Sequence, residues 1–249
     1  MDDQKLKIEV NTALDKAEKI WRNVKHKLVD SAEIRKATES FSVTSRIPDH
    51  PMVNPIKPEV DDFIAFVLDI RGSSDHLNVA HAESKADQLE RVLYEITAVN
   101  TIGSIITEEK SGKITEFLGD GFLALYKVSN EDRQNVKNAY NAAKECIRVV
   151  KEVVNPILSE RYNLPPLIVG VGLAYSQAII TVVGHNENLH PKALGVCVFR
   201  ATKMSDGDNE VRIDDKLKAF WPTTKGGTLK FEPLAKRHSF KEYRITNNR

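Results

Sequence analysis

Two aspartates lie where a carboxylate could take part in chemistry, and small residues surround both. Asp69 follows the apolar run Phe63–Leu68 and precedes the sequence Ile70-Arg71-Gly72-Ser73-Ser74, which is rich in turn-forming and hydroxyl residues. Asp120 lies in the short sequence Gly119-Asp120-Gly121, between two apolar runs. Asp-Gly is also a favoured turn in ordinary hairpins, so this second signal gains weight only when it is paired with the first.

A pair of carboxylates that converge on one point favours a cation between them. Two negative charges repel each other unless a positive charge compensates them. Hard oxygen ligands suit Mg²⁺ or Mn²⁺, and substrate phosphates commonly complete the coordination shell of such an ion. The small residues around Asp69 and Asp120 leave backbone N–H groups open to phosphate oxygens, which makes Ser73 and Ser74 candidate substrate-binding residues. The sequence therefore predicts metal-assisted chemistry on a phosphorylated substrate.

The predicted elements would bring these residues together. A strand over Phe63–Leu68 is followed by a helix over roughly 76–101, a short strand over 104–106, and strands over 113–118 and 122–128. A second helix over about 131–158, a hairpin over 167–175 and 178–183, a loop, a helix over 198–204 and short strands near 211, 228 and 243 follow. This order predicts an α+β fold with a ferredoxin-like βαββαβ core and extra C-terminal strands.

The N-terminal part of the chain has a different pattern. Leu6, Val10, Leu14, Ala17, Trp21, Val24 and Leu28 are spaced by three or four residues and predict an amphipathic helix. Such a stripe packs either on its own domain or on a partner chain. Prolines at 48, 51, 55 and 58 then predict a connector. The predicted organisation is an N-terminal helix over 1–40, a proline-rich connector over 41–60 and a catalytic domain over 61–249.

Composition limits the class of protein. The 249 residues carry a formal net charge of +1, which is too balanced to indicate nucleic-acid binding, and no apolar run is long enough for a membrane span. Two cysteines cannot form a disulfide framework, so we expect a reduced, cytoplasmic protein. The segment 216–249 is strongly basic, with nine Lys or Arg and two Glu. It could hold phosphates, although an exposed basic strand pair explains it equally well.

Four collinear motifs resemble the successive signatures of class III nucleotidyl cyclases. They are FIAFVLDIRGSS, ITEFLGDGFLALY, VGVGLAYSQAIITVVG and ALGVCVFRATKMSD, and the resemblance extends over about 61–243. It implies that Asp69 and Asp120 correspond to the two metal aspartates and that the backbone carbonyl of Ile70 is a further metal contact. The implied reaction is attack of the ribose 3′-oxygen on the α-phosphorus of a nucleoside triphosphate, with two Mn²⁺ or Mg²⁺ ions and with pyrophosphate as the leaving group.

The second half of the motif set departs from the family pattern. Family members carry Asn four residues, and Arg eight residues, beyond the glycine that matches Gly195. This chain has Phe199 and Lys203 there. Lysine supplies charge but no bidentate fork, and phenylalanine cannot orient a ribose hydroxyl. Lys203 and the neighbouring Arg200 are therefore the candidate catalytic cations. A phosphate-contacting lysine of the family most resembles Lys236.

The resemblance also assigns base selection to Glu116 and Lys192. Adenylyl cyclases usually have Lys then Asp at these positions, and guanylyl cyclases have Glu then Cys. Glu116 argues against ATP, because a carboxylate accepts a ring N–H, which guanine and uracil both offer. Lys192 would donate to a base carbonyl oxygen. These two positions do not separate guanine from uracil, but Glu116 favours UTP over CTP because cytosine N3 is an acceptor.

The short chain and the altered Asn and Arg positions resemble the bacterial pyrimidine cyclases of Pycsar anti-phage systems. That branch implies a cyclase that makes cyclic UMP or cyclic CMP as a messenger for an effector that is not visible in this sequence. With Glu116, it implies a uridylate cyclase. The resemblance to the class III family implies a homodimer with shared active sites, and from the composition we expect no nucleic-acid or membrane partner. Two alternatives remain open. One is a guanylyl or other purine cyclase, and the other is an inactive nucleotide-binding domain.

Overall fold

The computed structural model describes residues 2–24, 42–54, 58–78, 84–185, 188–223 and 227–247. Within these residues the helices are α1 (Asp3–Val24), α2 (Ser73–Asn78), α3 (Gln88–Glu109), α4 (Gln134–Val149), α5 (Asn155–Tyr162), α6 (Val196–Met204) and α7 (Asp215–Phe220), with a π-helical segment, Val150–Val154, between α4 and α5. The strands are β1 (Val43–Ile47), β2 (His50–Val53), β3 (Glu59–Ile70), β4 (Lys113–Phe117), β5 (Gly121–Lys127), β6 (Val169–His185), β7 (Asn188–Gly195), β8 (Val211–Asp214), β9 (Leu229–Pro233) and β10 (Glu242–Asn247).

One eight-stranded sheet organises the molecule. Its order is β4-β5-β3-β6-β8-β10-β9, and β7 pairs with the distal part of β6. The first four strands pair antiparallel around β3, and β6 and β8 are parallel. With α3 between β3 and β4, and α4 and α5 between β5 and β6, these elements form the ferredoxin-like βαββαβ core. The predicted α+β fold with additional C-terminal strands is therefore confirmed.

The central strand β3 is buried on both faces, as its continuous apolar sequence predicts. Ile64, Phe66 and Leu68 point into the core beneath the helices α1, α3, α4 and α5. Phe63, Ala65 and Val67 belong to a second core, which includes residues of α6 and the β1–β2 hairpin. Alternation along a strand sends successive side chains to opposite faces, so a strand covered on both sides needs apolar residues throughout.

Helix α1 packs on its own domain. The first half of the amphipathic stripe therefore contacts this chain and not a partner chain. Leu6, Val10 and Leu14 are buried in the helical core. Two ion pairs hold the exposed edge of α1 on the domain. Arg148 Nη2 lies 2.7 Å from Asp3 Oδ1, and Arg161 Nη2 lies 2.8 Å from Asp15 Oδ1. The stripe residue Leu28 lies outside the described residues, and for Ala17, Trp21 and Val24 only the backbone is described.

Two expectations about helices change. Two helices, α2 and α3, occupy the region of the predicted single helix over 76–101. Asp87 caps α3 by accepting a hydrogen bond from the Glu90 N–H at 2.9 Å. The predicted strand over 104–106 is wrong, because these residues belong to α3. The buried residues Ala98, Ile102 and Ile106 are spaced by four, so the apolar run is one face of a helix.

Two expectations about strands also change. The predicted hairpin over 167–175 and 178–183 is one long strand, β6, which pairs with β3 over 169–180 and with β7 over 178–185. The residues expected to form a loop after it include β7. Pro191 is tolerated there because β7 is an edge strand, where a missing N–H costs no ladder hydrogen bond. Within the predicted connector, β1 and β2 form a small hairpin.

Helix α6 lies unusually close to β6. A Cβ atom at Gly172 would come within 2.0 Å of the Ala201 carbonyl oxygen, and one at Gly170 within 2.1 Å of the Ser205 carbonyl oxygen. Only glycine leaves room for this contact. The sequence Gly170-Val171-Gly172 is therefore a packing feature that fixes α6 on the sheet, rather than a phosphate loop.

Among the described residues, no helix combines the length and the apolar character that crossing a membrane requires.

Candidate active site

The pairing of β3 with β5 brings Asp69 and Asp120 to the same end of the sheet. Asp69 is opposite Gly121 in the ladder, and the Ile70 N–H donates to the Asp120 carbonyl oxygen at 3.2 Å. The approach is tight, because a Cβ at position 121 would lie 2.0 Å from the Leu68 carbonyl oxygen. Glycine at 121 thus allows the turn that carries Asp120 to lie against the end of the strand that carries Asp69.

The Asp120 carboxylate lies close enough to Asp69 for the two charges to interact, and this raises the energy of the doubly charged state. Burial, followed by the neighbouring Asp120 carboxylate, raises the pKa of Asp69 to about 6. Arg71 acts in the opposite direction, since its Nη1 donates to Asp69 Oδ2 at 3.4 Å. Ser73 donates its hydroxyl hydrogen bond to Asp120 Oδ2. The site therefore holds more negative charge than its own residues neutralise.

This donor set fits a divalent cation. Carboxylate oxygens are the ligands that Mg²⁺ and Mn²⁺ prefer, and a bound cation would remove the repulsion that raises the pKa of Asp69. In the part of the chain that the structure describes, no group of three or more His, Cys, Asp or Glu side chains forms a metal-binding cluster. Asp69 and Asp120 would therefore need further ligands from the backbone, for which Ile70 is the candidate, and from a substrate.

Helix α2 is held in place by a buried charge network. His76 Nδ1 lies 2.6 Å from Glu95 Oε2, and Arg91 Nε donates to Glu95 Oε1 at 2.7 Å. Glu95 is almost completely buried in α3, so both partners compensate a charge that water cannot reach. Because Ser73 lies in the first turn of α2, this network also fixes the side chain that contacts Asp120. Ser74 is exposed, and its backbone carbonyl accepts from Asn78.

The two residues predicted to select the base contact each other within one chain. Lys192 Nζ in β7 lies 2.5 Å from Glu116 Oε2 in β4. These strands are not neighbours in the sheet, so the β6–β7 hairpin must reach across the face that α6 covers. Both side chains are partly exposed. The ion pair leaves carboxylate lone pairs and ammonium hydrogens available to a ligand.

Helix α6 presents Phe199 and Lys203 on one exposed face. The Phe199 side chain is 58% exposed, and Lys203 Nζ lies 5.9 Å from the centroid of its ring. Arg200 points elsewhere. Its Nη1 is 2.8 Å from both Asp214 Oδ2 and Asp215 Oδ1, so it ties α6 to the start of α7. Of the two candidate catalytic cations, Lys203 is the one without a carboxylate partner among the described residues.

Lys236 is exposed in a segment that is anchored near α6. Four residues further on, Phe240 is buried in the second core, and the Arg200 guanidinium carbon lies 4.7 Å from its ring centroid. This contact holds the segment from Leu234 to Lys241 against the same side of the sheet as α6. The structure thus groups Lys203 with the Lys236 segment, and Asp69 with Asp120.

Sequence reasoning did not identify the roles of Arg71, His76 and Glu95. Arg71 stands next to the predicted metal loop, and its Nε also lies 3.6 Å from Asp208 Oδ1. That adjacency was the available signal for Arg71. His76 and Glu95 are 19 residues apart in sequence and meet only because α2 packs on α3, so neither composition nor spacing could have paired them.

The fold is similar to that of solved cyclase catalytic domains. The guanylyl cyclase Cya2 is 14% identical, with a TM-score of 0.63, over 76% of this chain and 93% of that chain. The adenylyl cyclase CyaB from P. aeruginosa is 14% identical, with a TM-score of 0.62, over 78% of this chain and 97% of that one. A bacterial light-regulated adenylyl cyclase is 19% identical, with a TM-score of 0.61, over 78% of this chain but only 54% of its own length.

No protein-family model matches the sequence, and no curated protein matches it either. The likeness to the solved structures therefore concerns architecture. The chain has the α+β fold of class III nucleotidyl cyclase catalytic domains.

Proposed function

We propose that this protein is a nucleotide cyclase that converts a nucleoside triphosphate to its 3′,5′-cyclic monophosphate and pyrophosphate. The observation that carries the proposal is the juxtaposition of Asp69 and Asp120 at the end of β3, in a chain with the cyclase fold. A binding module that holds no cation gains nothing from two adjacent carboxylates, since their repulsion destabilises the folded state.

The chain's own residues suggest how the substrate would be held. When bound, two Mg²⁺ or Mn²⁺ ions would lower the pKa of the ribose 3′-hydroxyl and neutralise the triphosphate. Asp69, Asp120 and the Ile70 carbonyl would ligate them. Ser73 orients the Asp120 carboxylate, and Arg71, which contacts both Asp69 and Asp208, can keep the Asp208 contact once a cation compensates Asp69. Lys203 and Lys236 would donate to the phosphate oxygens as charge builds up on them.

We further propose that the base is a pyrimidine, with UTP preferred over CTP. Uracil presents a ring N–H beside a carbonyl oxygen, and these match the accepting Glu116 carboxylate and the donating Lys192 ammonium. A base that bridges the two residues would replace their 2.5 Å contact with two charge-assisted hydrogen bonds. Guanine offers the same donor beside an acceptor, so a guanylyl cyclase is the second candidate function. The role in anti-phage defence rests on the sequence resemblance and stays a prediction.

We propose that two copies of the chain share each site. Four large apolar side chains, Phe117, Leu194, Val196 and Phe199, are each about half exposed on or near the strands and helix that carry Glu116, Lys192 and Lys203. Apolar surface of this kind is typical of an interface. A twofold dimer is the commonest closed arrangement of identical chains, and it would place the metal aspartates of one protomer opposite Lys203 of its partner.

The first prediction concerns the metal-free protein. The unfolded chain releases the Asp69 proton near the ordinary pKa of 3.8, whereas the folded protein keeps it up to about pH 6. Stability should therefore fall as the pH rises through this window, and the charged carboxylate should cost on the order of 1–3 kcal/mol above pH 7. Asp69→Asn should recover that amount at pH 7.5 in EDTA and only a small part of it at pH 4, in chemical unfolding followed by circular dichroism.

The exposed Glu131 provides the control for this measurement, because Glu131→Gln removes a carboxylate at a distance from the site. Adding Mg²⁺ at pH 7.5 should stabilise the unmutated protein and leave Asp69→Asn almost unchanged. Equal unfolding midpoints for the unmutated protein and Asp69→Asn in EDTA at pH 7.5 would contradict the assigned repulsion.

The second prediction concerns turnover. The purified protein, incubated with an equimolar mixture of the four nucleoside triphosphates and Mn²⁺ or Mg²⁺, should form cyclic UMP first, as identified by mass spectrometry. Asp69→Ala and Asp120→Ala should each lower the rate by roughly 10²–10³ or more, because both ions lose a ligand. Asp75→Ala, on the exposed side of α2, should retain activity. Consumption of GTP first would support the guanylyl alternative, and consumption of none would support an inactive domain.

The third prediction concerns the base. Glu116→Lys sets a cation against the uracil N–H and against Lys192. The loss in kcat/KM for UTP should correspond to about 2–4 kcal/mol, which is roughly 30- to 700-fold. The double variant Glu116→Lys/Lys192→Glu restores the ion pair with reversed polarity. It should therefore shift preference towards CTP, whose N3 accepts and whose amino group donates. Glu109→Lys, an exposed charge reversal in α3, is the control. A double variant that still prefers UTP would refute the assignment.

The fourth prediction concerns the shared site. In a heterodimer of Asp69→Ala and Lys203→Ala chains, one site lacks both groups and the other keeps both. Co-expression under separate tags and tandem purification should therefore yield about half of the unmutated activity, although each variant alone is weak or inactive. Lys216→Ala, on the exposed surface of α7, should not reduce activity in any combination. An inactive heterodimer, together with a fully active Lys203→Ala homodimer, would rule out shared sites.

A further inference from the structure

A cavity of about 570 Å³ lies between α4 and the segment from α7 to β10, on the face of the sheet that α4 covers. Three lysines line it, Lys137 and Lys144 from α4 and Lys218 from α7. Tyr140, Trp221 and Phe231 supply its aromatic surface. We call this feature the α4 cavity. Its volume falls within the range of small-molecule sites.

The charges of the α4 cavity are all of one sign. The lining residues that the structure describes include no carboxylate, and none of the three lysines forms an ion pair with a described residue. Lys144 Nζ lies 5.6 Å from the Tyr140 ring centroid, and Lys218 Nζ lies 3.9 Å from that of Tyr243. These cation–π contacts position the ammonium groups without neutralising them. An anionic ligand would therefore gain attraction without having to break an existing salt bridge.

The aromatic residues form one interlocked cluster. The Trp221 ring centroid lies 5.7 Å from that of Tyr140 and 5.2 Å from that of Phe231, with interplanar angles of 73° and 71°. Two edge-to-face neighbours restrict the indole, while the Trp221 side chain remains partly exposed. A partly exposed, immobilised indole is suited to stacking against a flat ring, at little entropic cost.

Uncharged polar groups complete the lining. Thr228 Oγ1 donates to Asn247 Oδ1 at 2.9 Å, which fixes the Asn247 amide and leaves its NH₂ group free to donate. Asn141 is an exposed neighbour of Tyr140 on α4. The cavity thus combines cations that suit a phosphate, a flat apolar surface that suits the face of a base, and amides that can hydrogen-bond to the edge of the base.

The α4 cavity is separate from the candidate active site. Helix α4 packs, together with α3 and α5, on the face of the sheet formed by Phe66, Phe122 and Tyr126. The Glu116–Lys192 pair and α6 lie on the opposite face, with Leu123 and Ala201 in the second core. A molecule in the α4 cavity would therefore not occupy the position proposed for the substrate.

We propose that the α4 cavity is a second nucleotide site, in which Lys137, Lys144 and Lys218 hold the phosphates and Trp221 stacks on the base. The ligand class is a mononucleotide. The three lysines that line one cavity can compensate the charge of one phosphorylated nucleoside, whereas a nucleic-acid strand would need a cationic track along the surface. The site also gives a role to part of the basic segment 216–249, which the proposed catalytic function leaves unused apart from Lys236.

The test uses Trp221 as the reporter. The sequence contains one other tryptophan, Trp21, so Trp21→Phe leaves Trp221 as the sole tryptophan. In EDTA, to suppress metal-dependent substrate binding, UMP and GMP should quench its fluorescence with saturation. Lys137→Gln/Lys144→Gln should weaken this binding at least about tenfold, because two charge-assisted contacts are lost. Lys151→Gln, on the exposed surface of the π-helical segment, is the matched control and should leave it unchanged.

Each further outcome decides the proposal. Isothermal titration calorimetry of Asp69→Ala should show the same affinity for UMP, which separates this site from the proposed catalytic one even if the latter proves inactive. Inorganic phosphate binding as tightly as UMP would overturn the nucleotide assignment, because the aromatic cluster would then contribute nothing. Quenching of Trp221 fluorescence by a decanucleotide but not by UMP would indicate a nucleic-acid surface instead. Equal binding by Lys137→Gln/Lys144→Gln and the unmutated protein would overturn the site.

Discussion

The repulsion between the Asp69 and Asp120 carboxylates is the constraint around which the candidate active site is built. Backbone pairing of β3 with β5, and the absence of a side chain at Gly121, force the two groups together irrespective of their charge. The fold can impose this cost because β3 is buried on both faces and forms long ladders with β5 and β6. The local electrostatic penalty is small beside the stabilisation that this central strand provides.

The residues around the pair compensate it only in part, and this fits a site that exchanges cations. Arg71 makes a long contact of 3.4 Å with Asp69, and Ser73 supplies a neutral donor to Asp120. By contrast, the buried Glu95 has two close partners, His76 and Arg91. A carboxylate with a structural role is thus fully paired here, whereas the candidate metal carboxylates are left accessible to an added positive charge.

The sequence predicted those features that depend on local patterns. The apolar run of β3 and the β4–β5 hairpin with Asp120 in its turn both follow from residue type and spacing. It failed where the outcome depends on partners distant in the chain. The turn predicted near Ser176 does not form, because β6 continues and changes its partner from β3 to β7. The Glu95 network also arises from helix packing, which periodicity does not encode.

Charge pairing separates the structural surfaces of this molecule from those that we assign to ligands. On the surface that α1 covers, Arg148 and Arg161 are each bound by carboxylates on neighbouring elements, so their charges stabilise the native packing. Three lysines line the α4 cavity without a carboxylate partner among the described residues, so their positive charges are left uncompensated in the ligand-free state. The fold brings like charges together at the aspartate pair, which Arg71 compensates only in part, and at this lysine group, and a ligand of opposite sign would complete the compensation at each. The same electrostatic argument therefore supports a cation at the end of β3 and a phosphorylated anion in the α4 cavity.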